Sequence, residues 1–140
     1  MGDGGILPQY PWVLDSLAEA PMVVIVDDDL SVQRSLRSLM LSCGFRVQAF
    51  PSGAEFLGWA ELAETSCLIL DLAMPEMSGS QVISHLRAMK QLMPFVVLTA
   101  AADQDEVRQQ MLDNGAIACL RKPAAGPELL GAIRTALRTR

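Results

Sequence analysis

One hundred and forty residues, 51% of hydrophobic type and only 19% charged, suffice for one packed domain and are too apolar for a chain that stays disordered. Sixteen acidic against eleven basic residues leave a net charge of −5 with no basic run, which argues against direct binding of nucleic acid. No apolar run approaches the roughly 20 residues that cross a bilayer, and no basic residue precedes Arg34, so neither a membrane span nor a secretory signal is expected.

Residues 1–21 are punctuated by Gly2, Gly4, Gly5, Pro8, Pro11 and Pro21, with Trp12, Val13, Leu14 and Leu17 as an apolar cluster. They read as an N-terminal extension, either a mobile tail or a short docking helix, ahead of a domain over residues 22–140. From residue 22 onward, short apolar runs alternate with amphipathic stretches. Strands are expected at 22–27, 45–50, 66–71, 94–99 and 117–121, and helices at 31–43, 53–63, 79–91, 104–114 and 127–138.

Val32, Leu36, Leu39, Met40 and Cys43 give the first helix a buried stripe, and Gly44 stops it. Ser52 with Glu55 is a candidate capping box for the second. Val82, Ile83, Leu86 and Met89 line the third, Asn114-Gly115 closes the fourth, and Leu129, Leu130, Ile133 and Leu137 line the fifth. Three cysteines, Cys43, Cys67 and Cys119, lie far apart inside apolar segments. They read as reduced core thiols of a cytoplasmic protein.

Five strand–helix units in strict alternation imply an α/β fold with a parallel sheet covered on both faces. The second strand alternates apolar and polar residues and belongs at an edge; the first, third and fourth are continuously apolar and belong inside. The length favours a single doubly wound, flavodoxin-like five-stranded sheet of order 2-1-3-4-5 over half of a larger Rossmann sheet. Ligands of such sheets bind beyond the carboxyl ends of the strands, where the winding reverses.

What the sequence places on that rim is chemically specific. Strand one ends in Asp27-Asp28-Asp29, strand three in Asp71, strand four in Thr99 and strand five in Lys122-Pro123. Asp29 suits the N-cap of the first helix, which leaves Asp27, Asp28 and Asp71 converging. Crowded carboxylates repel one another unless a cation neutralises them, and Mg²⁺ is the usual hard cation where a phosphoryl group supplies further oxygens.

With these residues in view, the chain from 22 to about 138 resembles the receiver domain of two-component response regulators, most of all the FixJ-type branch. The resemblance is carried by VVIVDDDLSVQRSL, GFRVQAFPSGAEFL, LDLAMPEMSGSQVI, VVLTA and NGAIACLRKP, in that order. It implies that Asp71 accepts a phosphoryl group from a sensor histidine kinase, and that Asp27 and Asp28, with Asp71 and the backbone carbonyl of Ala73, hold Mg²⁺. It implies further that Thr99 is the switch hydroxyl, Lys122 the phosphoryl-binding cation and Lys122-Pro123 a cis peptide. Output is then expected through the helix 4, strand 5 and helix 5 face, toward a transcriptional partner or domain or a phosphorylation-dependent homodimer.

Cys119 stands where the family usually has an aromatic switch residue, Ala124-Ala125 follows Pro123 where an aromatic is commoner, and the segment from Thr99 to Gly115 is one residue longer than expected. Two other readings stay open. A haloacid-dehalogenase-like, Mg²⁺-dependent phosphohydrolase would use Asp27, Asp29 and Ser31 as its first motif; a receiver-fold module could bind partners without being phosphorylated.

Overall fold

The computed structural model describes residues 20–101 and 104–138, so the expectations for residues 1–19, and for Ala102 and Asp103 in the lengthened loop, lie outside the described residues. In chain order the elements are β1 (Met22–Val26), α1 (Leu30–Ser42), β2 (Arg46–Phe50), α2 (Gly53–Leu57), a 3-10 turn (Leu62–Glu64), β3 (Cys67–Leu70), α3 (Gly79–Ala88), β4 (Phe95–Thr99), α4 (Asp105–Asp113), β5 (Ala118–Arg121) and α5 (Gly126–Arg138). The strands form one parallel sheet of order β2-β1-β3-β4-β5. β2 is the edge strand its alternation demands, with only Val47 buried among its five residues.

Residue alternation along the strands builds two apolar layers. Val24, Val26, Leu68, Leu70, Val97 and Cys119 face Phe56, Val82, Leu86 and Met111 on the α2–α4 side. Val23, Ile25, Ile69, Val96, Leu98 and Leu120 face Leu36, Met40, Leu129 and Ile133 on the α1 and α5 side. Each such side chain, removed from water, contributes about 1.5–3 kcal/mol, which fixes the register and hence the level at which the strands end.

The second helix differs from its expected span. It stops at Leu57, capped by Gly58, and Trp59 turns back onto Phe50 with ring centroids 5.3 Å apart. Glycine is a poor helix former, and the aromatic contact draws the chain inward before the separate 3-10 turn begins. Of the proposed Ser52 capping box, the Ser52 half is present: its Oγ accepts from Glu55 N at 3.2 Å, while the Glu55 carboxylate lies 3.3 Å from that same Oγ.

The third helix is also shorter, ending at Ala88. Lys90 adopts φ 58°, and Lys90 N donates to Arg87 O while Gln91 N donates to Leu86 O, which closes the helix in a Schellman turn. Met89 therefore leaves the buried stripe and is 44% exposed. Among the cysteines, Cys67 and Cys119 are buried thiols as expected; Cys43 caps α1 and is only half-buried, because Gly44 turns the chain there at φ 86°.

Candidate functional site

Asp27 and Asp71 emerge from the ends of β1 and β3, neighbours in the sheet paired from Val23↔Cys67 to Val26↔Leu70. Both carboxylates are buried, at 2% and 4% exposure, as is Thr99 at the end of β4. Asp28, one residue on, is exposed. One carboxylate oxygen from each of Asp27, Asp28 and Asp71 falls within 4.8 Å of the others.

Lys122 follows β5 and reaches across to this group. Its Nζ lies 2.8 Å from Asp27 Oδ2 and 3.3 Å from Asp71 Oδ2. The Lys122-Pro123 bond is cis. Burial alone would lower the Lys122 pKa, but the hydrogen bond to Asp27 and the charges of Asp71 and Asp27 outweigh it and hold the ammonium above its ordinary value. Asp71 is pushed the other way from a typical ion-paired acid. Burial first, then the Asp27 carboxylate, raise its pKa against the opposing pull of Lys122 and the Ala73 amide.

Hydrogen bonds from the loops aim these groups. Asp27 Oδ1 accepts from Asp29 N at 2.9 Å, and Asp71 Oδ1 accepts from Ala73 N at 3.3 Å. Asp29 caps α1: its Oδ1 accepts from Ser31 N, Ser31 Oγ and Val32 N, and the Ser31 hydroxyl holds its carboxyl below the usual range. Thr99 Oγ1 accepts from Ala101 N at 3.4 Å, and no hydrogen bond among the described residues joins it to Asp71. The acid trio and lysine are thus one connected cluster, with Thr99 on the same rim but not bonded to it.

One supporting residue, Gln33, was not singled out from the sequence. Gln33 Nε2 donates to the backbone carbonyl of Asp27 at 2.6 Å and so sets the peptide between the two acids. A glutamine one turn after an N-cap is an ordinary helix residue, and no spacing rule marks it. Gly79 begins α3 directly beneath the acceptor strand end: a Cβ there would lie 2.5 Å from Asp71 O and 3.0 Å from Leu72 Cα. Next to the cluster opens a cleft of about 360 Å³ between α1 and the segment after β5, lined by Asp29, Ser31, Ser35, Lys122, Pro123 and Ala124.

A doubly wound 2-1-3-4-5 sheet carrying an acid trio and a lysine on its carboxyl rim defines a receiver-like signalling domain. Comparison with known proteins is decisive on the family. Residues 23–134 match the family model described as the response regulator receiver domain, and the chain belongs to that family, the receivers of two-component systems. It is 39% identical over 117 residues to the response regulator protein TmoT of Ectopseudomonas mendocina, an alignment covering 84% of this chain and 53% of the relative. To the transcriptional regulatory protein PrrA of Mycobacterium leprae it is 38% identical over 128 residues, covering 91% and 54%.

Among solved structures, the response regulator StyR superposes with a TM-score of 0.77 at 38% identity, covering 86% of this chain and 60% of that one. The Vibrio cholerae chemotaxis protein CheY4 superposes at 0.75 with 27% identity, covering 84% and 99%. The chain spans about half the length of the curated relatives it matches.

Proposed function

We propose that this receiver is phosphorylated on Asp71 in the cytoplasm by a sensor histidine kinase and passes the signal to a transcriptional output. The observation that carries the reading is the two-way grip of Lys122 on Asp27 and Asp71 at the carboxyl rim of the sheet. Residues 22–140 are the receiver unit and residues 1–21 an extension ahead of it.

The donor set suits a hard divalent ion. Three carboxylates, one of them open to solvent, offer oxygens close enough to share one cation, and Mg²⁺ has that chemistry. Asp27, Asp28, Asp71 and the backbone carbonyl of Ala73 would hold it. When bound, the ion supplies positive charge against the transferring phosphoryl oxygens.

The remaining chemistry belongs to the chain's own side chains. An ionised Asp71 oxygen attacks phosphorus, the P–N bond to the donor imidazole breaks, and the leaving ring takes up a proton; the product is an aspartyl phosphate. Lys122 already rests 3.3 Å from the Asp71 carboxylate and neutralises charge arriving there. The Ala73 amide holds the other Asp71 oxygen, which presents Oδ2 on the Lys122 side. Thr99 turns its hydroxyl from Ala101 toward the new phosphoryl group, and the start of α4 follows, shifting a two-state equilibrium of the α4, β5 and α5 face. That face is where an output domain, a partner or a second phosphorylated copy would read the signal.

Asp29 argues against the phosphohydrolase alternative, since the oxygen that reading needs as its second acid accepts three hydrogen bonds in capping α1. The test is intact mass after incubation with a small phosphodonor and Mg²⁺. One phosphoryl group on the parent and none on Asp71→Asn is expected; equal labelling of both, or none on either, overturns the reading.

A further inference from the structure

α4 is anchored toward one end. Its single buried side chain, Met111, lies in the C-terminal half, whereas Asp105, Glu106, Arg108 and Gln109 in the first half are exposed. The N-cap Gln104 supplies no side-chain hydrogen bond to the first turn. At the other end, Asn114 uses both atoms of its side-chain amide. Its Nδ2 donates to Gln110 O in the last turn of α4 at 2.8 Å, and its Oδ1 accepts from Arg87 Nη1 of α3 at 3.1 Å. Arg87 Nη2 donates to the Asn114 backbone carbonyl as well. The fork of one guanidinium thus holds two acceptors of one residue, which fixes direction as well as distance.

Around this pair the seam between α3 and α4 is open. A cleft of about 180 Å³ is lined by Leu86, Leu92 and Phe95, and a second of about 90 Å³ by Ser80, Ser84 and Met111; Arg87 and Asn114 border both. α3 itself is fixed in place. Gly79 at its start leaves no room for a Cβ against Asp71 O, and Ser78 with Gln81 closes a complete capping box. Arg108 ties α4 to the sheet in another way: its Nη1 donates to one acceptor, Cys119 O of β5, at 2.7 Å. A long side chain on a single hydrogen bond can follow a tilt that a two-acceptor fork resists.

We infer that Arg87 and Asn114 form the pivot of α4: the helix tilts at its Asp105 end about its last turn, with α3 as the fixed platform. What drives the tilt rests on the proposed phosphorylation of Asp71; where it is centred rests on the seam alone. Arg87 is then a positioning residue, which touches nothing at the phosphoacceptor and acts through α4. Displacement is largest at Asp105 and Glu106 and fades toward Asn114. With a rise of about 1.5 Å per residue, Glu106 lies roughly 12 Å and Leu112 roughly 3 Å from Asn114 along the axis, so their displacements stand at about four to one.

Pulsed EPR distances in the full chain test this. Cys67 and Cys119 are buried, so with Cys43→Ser, nitroxide labels go to Glu64→Cys, exposed in the 3-10 turn, paired with either Glu106→Cys or Leu112→Cys on α4. At rest, Arg87→Ala should broaden the distances from 64 to 112; an unbroadened distribution overturns the pivot whatever the fate of Asp71. With beryllofluoride and Mg²⁺ as phosphoryl mimic, the parent should shift about fourfold more at 106 than at 112. Arg87→Ala should bring that ratio toward one, and Asn114→Asp, whose carboxylate still accepts from Arg87, should keep it. Equal shifts in the parent overturn the proposal, as does a parent-like ratio in Arg87→Ala. A parent that shifts at neither position overturns the phosphoryl reading instead, and the resting comparison then decides the pivot.

Discussion

Lys122 faces two carboxylates whose mutual repulsion it offsets, so its removal acts on stability as well as on chemistry. Lys122→Ala leaves Asp27 and Asp71 buried without their cation and should cost about 2–4 kcal/mol in urea unfolding, besides impairing phosphorylation. The pH signature is distinct. Because the folded ammonium sits above its ordinary 10.5, its contribution is complete below that value and is lost as pH rises through the folded one; the variant should lack this alkaline loss. Asp71 has the opposite consequence at neutral pH. Its folded pKa lies above 3.8, so the stability tied to its proton is complete below 3.8 and lost as pH rises through the folded value. Asp71→Asn should therefore be more stable than the parent at neutral pH without metal, a gain that shrinks on acidification toward 3.8; an unchanged or lower stability at neutral pH would contradict the crowded-acid account. Asp28 is exposed, and Asp28→Asn should shift metal-free stability by less than about 0.5 kcal/mol while weakening Mg²⁺ binding in calorimetric titration.

The start of α3 is the element on which the acceptor rests. Gly79→Ala would force a methyl group against Asp71 O and Leu72 Cα, backbone atoms that cannot swing aside. It should cost about 1–3 kcal/mol and slow labelling of Asp71 by a small phosphodonor, both read against Gly131→Ala, where a Cβ meets open space. The same element marks what the sequence could and could not disclose. Elements with a residue-type signal were legible: Gly44 and Gly115 end α1 and α4 in left-handed turns, and Asp29 caps α1 through its side chain. The end of α3 was not, because Lys90 takes a left-handed conformation that ordinarily marks glycine or asparagine. The complete capping box of Ser78 and Gln81 at its start was not among the expected caps, because Gln81 is an ordinary helix residue until Ser78 is known to be the N-cap. The acid trio and lysine were readable because each ends a strand, and strand ends of a doubly wound sheet share a rim; Gln33 and the cleft depend on tertiary approach that no spacing encodes.

Across the whole molecule, the route from the pocket to α4 has few fixed links. Cys119 is fully buried in the α2–α4 layer, where burial raises its thiol pKa and Arg108 draws it down less strongly, so the residue stays a neutral, small core side chain. Arg108 itself joins the two elements: its Nη1 donates to Cys119 O at 2.7 Å. Activation with a phosphoryl mimic should change amide exchange across residues 100–108. Cys119→Ala should leave that change in place at a cavity cost of about 1–2 kcal/mol, and Arg108→Ala should diminish it; abolition by Cys119→Ala would return the switch to that side chain. The sheet between the two layers has a further consequence. It is a single strand thick, and its alternating side chains share almost nothing across it, so truncations such as Met40→Ala and Met111→Ala should add to within about 0.5 kcal/mol. Independent packing of this kind lets heritable variation accumulate around α1 without retuning the packing of α4, and a lineage can exchange an interlocutor met at α1 while its conversation at α4 continues.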